Sequence, residues 1–395
     1  MLFNSIYFIF FFVFVSIVHF ALPHKYRWLG LLMASCYFYM AFIPVYILIL
    51  FLTIIIDYVA GIAIDKSMGV RRRNILIISI ISNLGVLFIF KYYNFFIDNI
   101  NYTGNYNLPF LKIILPIGLS FHTFQAMSYT IEVYRGNQTA EKHFGIYALY
   151  VMFYPQLVAG PIERPQNILH QFKEKKEFDY ANFVDGLKLM GWGMFKKVVV
   201  ADKIAIYVNS VFNHHTEYEG VTVIIACLLF SFQIYLDFSG YSDIAIGAAK
   251  TMGFHLMTNF NRPYQAKSIV EFWSKWHISL STWFRDYLYI PLGGNRKSKA
   301  RTILNQFIVF TISGFWHGAN WTFMIWGFIH GFFVSVNNTV KGLFKIKYVP
   351  KIFKQLFVFI LASLAWIFFR AESLDRKSTR LNSSHLDLSR MPSSA

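Results

Sequence analysis

The chain has 395 residues, of which 56% are hydrophobic, 19% aromatic and only 14% charged. A soluble domain carries about 25% charged residues, so this much apolar surface excludes a single water-soluble core and points to the lipid bilayer. A formal net charge of +17 would suggest nucleic acid in a soluble protein. Here the Lys and Arg fall largely in short stretches between apolar runs, so loop retention on the cytoplasmic face accounts for them, and nucleic acid is not expected as a partner. The two cysteines, Cys36 and Cys227, both sit in apolar stretches. They form neither a disulfide framework nor a metal-ligand spacing and read as small buried hydrophobes.

The first apolar run, Leu2–Leu22, has no basic leader and no small-residue cleavage site, so it reads as an uncleaved helix. After residues 24–27 a block from Trp28 to Ile64 has Asp57 as its only charge. It is too long for one span, and Pro44 divides it in two. The basic stretch 66–73 closes it. Ile75–Phe90 is the next span, Asn99–Asn107 is polar, and Leu108–Ile131 is apolar again. Placing Arg71–Arg73 in the cytoplasm puts 24–27 inside, and the N-terminus and Asn99–Asn107 outside, as the positive-inside rule requires.

Tyr147–Ile162 is apolar but short, and Pro155, Gly160 and Pro161 predict a re-entrant or broken segment buried in protein. Gly186–Val200 mixes apolar residues with Lys and suits an interface. Val221–Ala249 is a span carrying Asp237 and Asp243. Gly253–Lys299 is aromatic and basic, and Thr302–Phe315, Trp321–Val340 and Ile352–Phe369 are the last spans. The expectation is an all-α integral membrane protein with roughly nine to ten membrane segments, forming one domain over 1–374. Residues 375–395 read as the in-frame translation of a sequencing-library adapter. Without their four basic and two acidic residues the net charge falls from +17 to +15.

Four segments could carry chemistry. In 311–331, His317 is an ionisable group among small, apolar and aromatic residues, where it is costly unless it faces a cavity or a partner. If the segment is one helix, Asn320, Trp321 and Met324 share its face, and His330 lies about 220° round and ~19 Å along. A buried, neutral, hydrogen-bonded histidine is the alternative for His317. In 271–296, His277 lies between Trp276 and Ile278, Arg285 and Asp286 could pair or line an anionic route, and Gly293–Gly294 makes a turn. An interfacial amphipathic helix is the other reading. In 235–243, Asp237 and Asp243 need partners, and pairing with basic residues of 262–297 is expected ahead of acid–base chemistry. Residues 153–165 read as a fixed non-helical scaffold. No P-loop, GxSxG or HExxH motif occurs, which leaves a histidine general base.

These segments together resemble the membrane-bound O-acyltransferase (MBOAT) superfamily, in its bacterial alginate O-acetyltransferase branch. PQLVAGPIER (155–164), DFSGYSD (237–243), NFNRPY (259–264), the run 271–296, SGFWHGANWTFMIWGFIHG (313–331) and WIFFRAES (366–373) carry the resemblance, which covers 1–374. It implies a multi-helix bundle with re-entrant segments and a central tunnel, and further membrane helices beyond Leu374, so a truncated C-terminus. It implies no bound cofactor, an acyl thioester such as acetyl-CoA as donor substrate, and a polysaccharide acceptor reached from the far side, directly or through an extracytoplasmic acetyltransferase partner. It makes His317 the catalytic residue and His277 a second active-site residue, and it leaves His330 a packing or tunnel-lining role. A transport or export component without chemistry, and a protein or lipid acyltransferase of the same fold, are the alternative functions. Location in a bacterial cytoplasmic membrane follows.

Overall fold

The computed structural model describes residues 1, 3–104, 106–214, 216–343 and 349–371; the 375–395 segment and part of WIFFRAES lie outside them. Among the described residues there are helices and no strands. They divide into two compact units. Of the described residues, one unit holds those within Met1–Met194 and Gly240–Met257, and the other holds those within Phe195–Ser239 and from Thr258 to Ala371.

The first unit begins with α1 (Ile6–Ala21), which is capped by Ser5, whose hydroxyl accepts the Phe8 N–H at 3.2 Å. Its end is set by Pro23, which forces Leu22 into an extended conformation (ψ 140°). Then follow α2 (His24–Met40), a single turn at Pro44–Tyr46, and α3 (Ile47–Asp65), so the break at Pro44 is where the sequence places it. Arg71–Arg73 do not form a loop: they lie in the first two turns of α4 (Gly69–Leu87), which continues through a π-helical turn at Phe88–Tyr92 into α5 (Tyr93–Gly104).

Leu108–Ile131 is not one span. Pro109 and Pro116 keep the first part out of a helix, and α6 (Leu119–Arg135) starts only after Gly118, at φ 73°. The extended part needs substitute hydrogen bonds. Asn94 and Asn101, two turns apart on α5, supply them. Each amide both donates to and accepts from one backbone residue, Leu111 for Asn94 (2.9 and 2.9 Å) and Leu108 for Asn101 (3.0 and 2.9 Å).

The 147–162 segment is broken as expected. Phe153 (ψ 112°) separates α7 (Phe144–Met152) from the single turn α8 (Tyr154–Leu157), and its residues are buried. The short α9 (Pro165–Ile168) and α10 (Tyr180–Met194) follow.

In the second unit a π-helical stretch, Phe195–Ala201, leads into α11 (Asp202–Asn213). The long α12 (Val221–Thr251) belongs to this unit as far as Ser239. Then come the short α13 (Ile269–Trp273) and α14 (Ile278–Phe284), and α15 (Lys299–His317), α16 (Trp321–Leu343) and α17 (Lys351–Arg370). The core is aromatic: Phe272, Trp273, Trp276, Phe323, Trp326, Trp366 and Phe369 form its centre.

Residues 311–331 are not one helix. Gly318 is extended (φ −163°, ψ 146°), Asn320 accepts the Thr322 N–H on its side-chain oxygen at 3.0 Å, and α15 and α16 fold back as a hairpin. Glycines let the two backbones touch. A Cβ on Gly314 would lie 2.1 Å from the Phe323 carbonyl oxygen, and one on Gly327 2.1 Å from that of Phe310.

Among the described residues four helices are long and apolar enough to cross a bilayer: Pro44–Asp65, Gly69–Gly104, Val221–Thr251 and Lys351–Arg370. Only 22–39% of their most apolar windows is buried, so most of that apolar surface needs lipid as solvent. Ile6–Ala21 is apolar but shorter, and the 108–131 run is extended before Gly118.

Candidate active site

The second unit brings the two sequence-selected histidines together. His317 is the last residue of α15 and is partly buried. The hairpin, not a continuous helical face, decides its neighbours. Trp326 reaches it from α16 with ring centres 5.3 Å apart and planes at 88°, Phe369 from α17 at 5.3 Å, and Trp316 from its own helix at 4.9 Å. The condition under which His317 would share a face with Asn320, Trp321 and Met324, one continuous helix, is not met, since the helix ends at His317.

His277 is 1% exposed and caps the start of α14. Its ring packs edge-on against Phe238 of α12 at 4.6 Å, and its centre lies 6.5 Å from that of His317. The two imidazoles are thus near neighbours, tilted 55° to each other. Burial, and then the neighbouring His317, hold the His277 imidazole well below its ordinary range, so it is neutral at physiological pH. Its backbone is left-handed (φ 42°, ψ 57°), a conformation that costs a residue with a Cβ about 1–3 kcal/mol. An interfacial amphipathic helix does not describe this region: α14 is seven residues long, and Trp276, Ser279, Leu280 and Trp283 are buried.

The other candidates separate. His330 is fully buried and accepts the Trp273 indole N–H at 3.2 Å on Nδ1, with Trp326 between it and His317 in the ring stack. It packs the core. Arg285 pairs with the adjacent Asp286 at 2.8 Å, on a largely exposed side chain. Gly293 (φ 105°) and Gly294 (φ 53°) make the expected turn, and buried Asn305 donates to the Leu292 and Gly294 carbonyls at 3.3 and 3.1 Å. Among the described residues no cluster of three or more His, Cys, Asp or Glu gathers as a metal site.

Asp237 departs from the expected pairing with 262–297. Its partner is Lys197, at 2.7 Å, which also reaches Asp202 at 2.8 Å. The π-helical stretch turns two consecutive lysines inward, and Lys196 donates to Ser239 at 3.0 Å. The signal in the sequence was a Lys pair directly after apolar Met194 and Phe195, where a buried cation calls for a carboxylate.

In the first unit, Glu163 was hidden inside the 153–165 scaffold. It is fully buried, accepts the Met257 N–H on Oε1 and the Asn167 amide on Oε2 (3.1 Å), and burial pushes its carboxyl up to about 7. With Gln171, which bonds both backbone groups of His255 (2.8 and 2.9 Å), it fixes the 255–257 segment.

A family model described as MBOAT, membrane-bound O-acyltransferase family, matches residues 142–371. The peptidoglycan O-acetyltransferase of Helicobacter pylori is 37% identical over 410 residues, covering 95% of this chain and 78% of that protein. Probable alginate O-acetylase AlgI of Pseudomonas aeruginosa is 40% identical over 383 residues, covering 95% of this chain and 73% of that protein. The teichoic acid D-alanyltransferase of Bacillus subtilis is 26% identical over 60% of this chain and 63% of its own length.

Proposed function

The chain belongs to the membrane-bound O-acyltransferase family, and on that premise we propose that it carries an acetyl group from a cytoplasmic thioester to a hydroxyl of an extracytoplasmic polysaccharide. Relatives named for acetylating peptidoglycan and alginate support the acetyl group and the polymer class. The acceptor hydroxyl belongs to the polymer itself or to an extracytoplasmic partner protein that passes the acetyl on. Acetyl-CoA is the donor that fits a thioester chemistry, and the bacterial cytoplasmic membrane is the location.

The observation that carries the reading is the pair of rings, His317 and His277, 6.5 Å apart inside an aromatic enclosure. His317 takes the proton of the acceptor hydroxyl as its oxygen attacks the thioester carbonyl carbon. The positive charge on the ring then lies at the carboxyl end of α15, the end of a helix that favours cations. The tetrahedral adduct collapses as the C–S bond breaks, and His317 returns the proton to the departing thiolate. The products are an ester and a free thiol. His277, neutral and rigidly held, orients or polarises one reactant. The tunnel implied by the resemblance would exclude water and suppress hydrolysis of the donor.

The test is transfer of labelled acetyl from acetyl-CoA to polymer in membranes carrying His317→Ala, with insertion verified. A positioned base contributes ~10²–10⁴-fold, and a loss of that size is expected. Acetylation at the normal rate overturns the role of His317. Label recovered on protein or lipid, with none on polymer, overturns the acceptor.

A further inference from the structure

Two non-glycine residues among those described have a left-handed backbone, His277 (φ 42°) and Arg262 (φ 48°). Both belong to one short pairing of two segments. The Ile278 N–H donates to the Asn259 carbonyl at 2.9 Å, and the Asn261 N–H donates to the Lys275 carbonyl at 3.0 Å. The Asn259 side chain extends this pairing by one residue. Its Oδ1 accepts the Ser279 N–H at 3.2 Å and the Ser279 hydroxyl at 2.9 Å. Asn259 and Ser279 are both fully buried, so water cannot replace these bonds.

A left-handed backbone persists at a residue with a Cβ only where its surroundings over-determine it. At His277 the constraint comes from both sides. Before it, the Trp276 N–H bonds to the Phe272 carbonyl at 2.9 Å. After it, residues 278 and 279 make three hydrogen bonds to the single residue Asn259. Relaxation of residue 277 to the right-handed region would re-aim its Cα–Cβ bond and take the imidazole away from His317.

We infer that Asn259 is a positioning residue for acyl transfer, which acts by locking His277 in its left-handed conformation beside His317. The inference rests on the proposed role of His277. It gives one residue of NFNRPY a task that the motif alone does not reveal.

The experiment is a double-mutant cycle on acetyl transfer in membranes, normalised to inserted protein, with Asn259→Ala, Asn259→Asp, His277→Ala and the Asn259→Ala/His277→Ala pair. Misplacing a reacting group by about 1 Å can cost ~10²-fold. Asn259→Ala is therefore expected to lower kcat by ~10–10²-fold with KM little changed. Asn259→Asp, which keeps the accepting oxygen, restores most of kcat. In the His277→Ala background Asn259→Ala adds no further loss. An unchanged kcat in Asn259→Ala, or the same fold-loss with and without His277, overturns the inference. Should Asn259→Ala fail to insert, Ser279→Ala removes one bond only, and a kcat at the normal rate in that variant counts against the lock. Normal transfer by His277→Ala overturns the premise as well, whereas a slow His277→Ala with a normal Asn259→Ala overturns the lock alone.

Discussion

Each unit carries a carboxylate on a long apolar helix, and the two are compensated by opposite chemistry. Asp57 on α3 is fully buried and held by neutral donors of α4: the Ser79 hydroxyl at 2.6 Å and the Asn83 amide at 2.9 and 2.8 Å. Asp237 on α12, 6% exposed, faces the Lys197 ammonium at 2.7 Å. Neutral donors satisfy a carboxyl group without requiring its charge, whereas a buried lysine requires the anion. The difference matches what each group supports. The neutral network ties α3 to α4. The ion pair sits one residue before Phe238, whose ring packs against His277 at 4.6 Å.

The strongest way to break this contrast is Lys197→Ala. Removing one partner of a buried pair costs about 3–5 kcal/mol, so we expect a large drop in the thermal midpoint in detergent and reduced acetyl transfer per inserted molecule. The double change Lys197→Met/Asp237→Leu should recover most of the stability, because apolar replacement of a whole buried pair is often neutral or stabilising. A Lys197→Ala protein as stable as the parent would show that Asp237 does not depend on the charge.

Asn83→Leu is the matching change in the first unit. It removes two bonds from Asp57 and leaves Ser79, at a cost of about 1–3 kcal/mol. Acetyl transfer per inserted molecule should be unchanged. A fall in kcat would break the separation between the structural network and the reacting pair.

Glu163 sharpens the comparison at smaller amplitude. Its donors are neutral, like those of Asp57, and its carboxyl is raised from 4.5 to about 7 by burial. The folded state therefore binds the proton more tightly than the unfolded chain does. Stability present below about pH 4.5 is lost progressively as pH rises towards about 7, and is flat above it. Thermal midpoints should fall between pH 5 and about 7 and level off above it, and Glu163→Gln should flatten the slope. A slope that survives in Glu163→Gln would assign it to another group.

Some of the molecule could be read without coordinates. Pro44 cannot sit in a helix interior, because it lacks an N–H and clashes with the preceding turn, and it opens the turn that starts the next helix. Pro155 and Pro161 keep 147–162 from forming one helix for the same reason. His317 and His277 stood out because an imidazole in an apolar aromatic run needs an explanation. Other features resisted reading. Residues 108–117 are as apolar as a span, and only the amides of Asn94 and Asn101 make the extended backbone tolerable. The break between the spans 302–315 and 321–340 was legible, but not that the first helix runs on to end at His317 or that glycines let the two backbones touch.

By itself, the sequence determined the membrane setting, the helical class and the family resemblance, and singled out two histidines as candidates, because composition, proline and motif wording are local properties of the chain. Only the tertiary structure decided that α15 ends at His317, that Lys197 and not the 262–297 segment answers Asp237, and that Asn259 holds His277 in a left-handed turn. Each of those depends on a hydrogen bond, ion pair or backbone contact between residues well apart in the chain or on opposite arms of a turn, and no local pattern encodes which distant group supplies the partner.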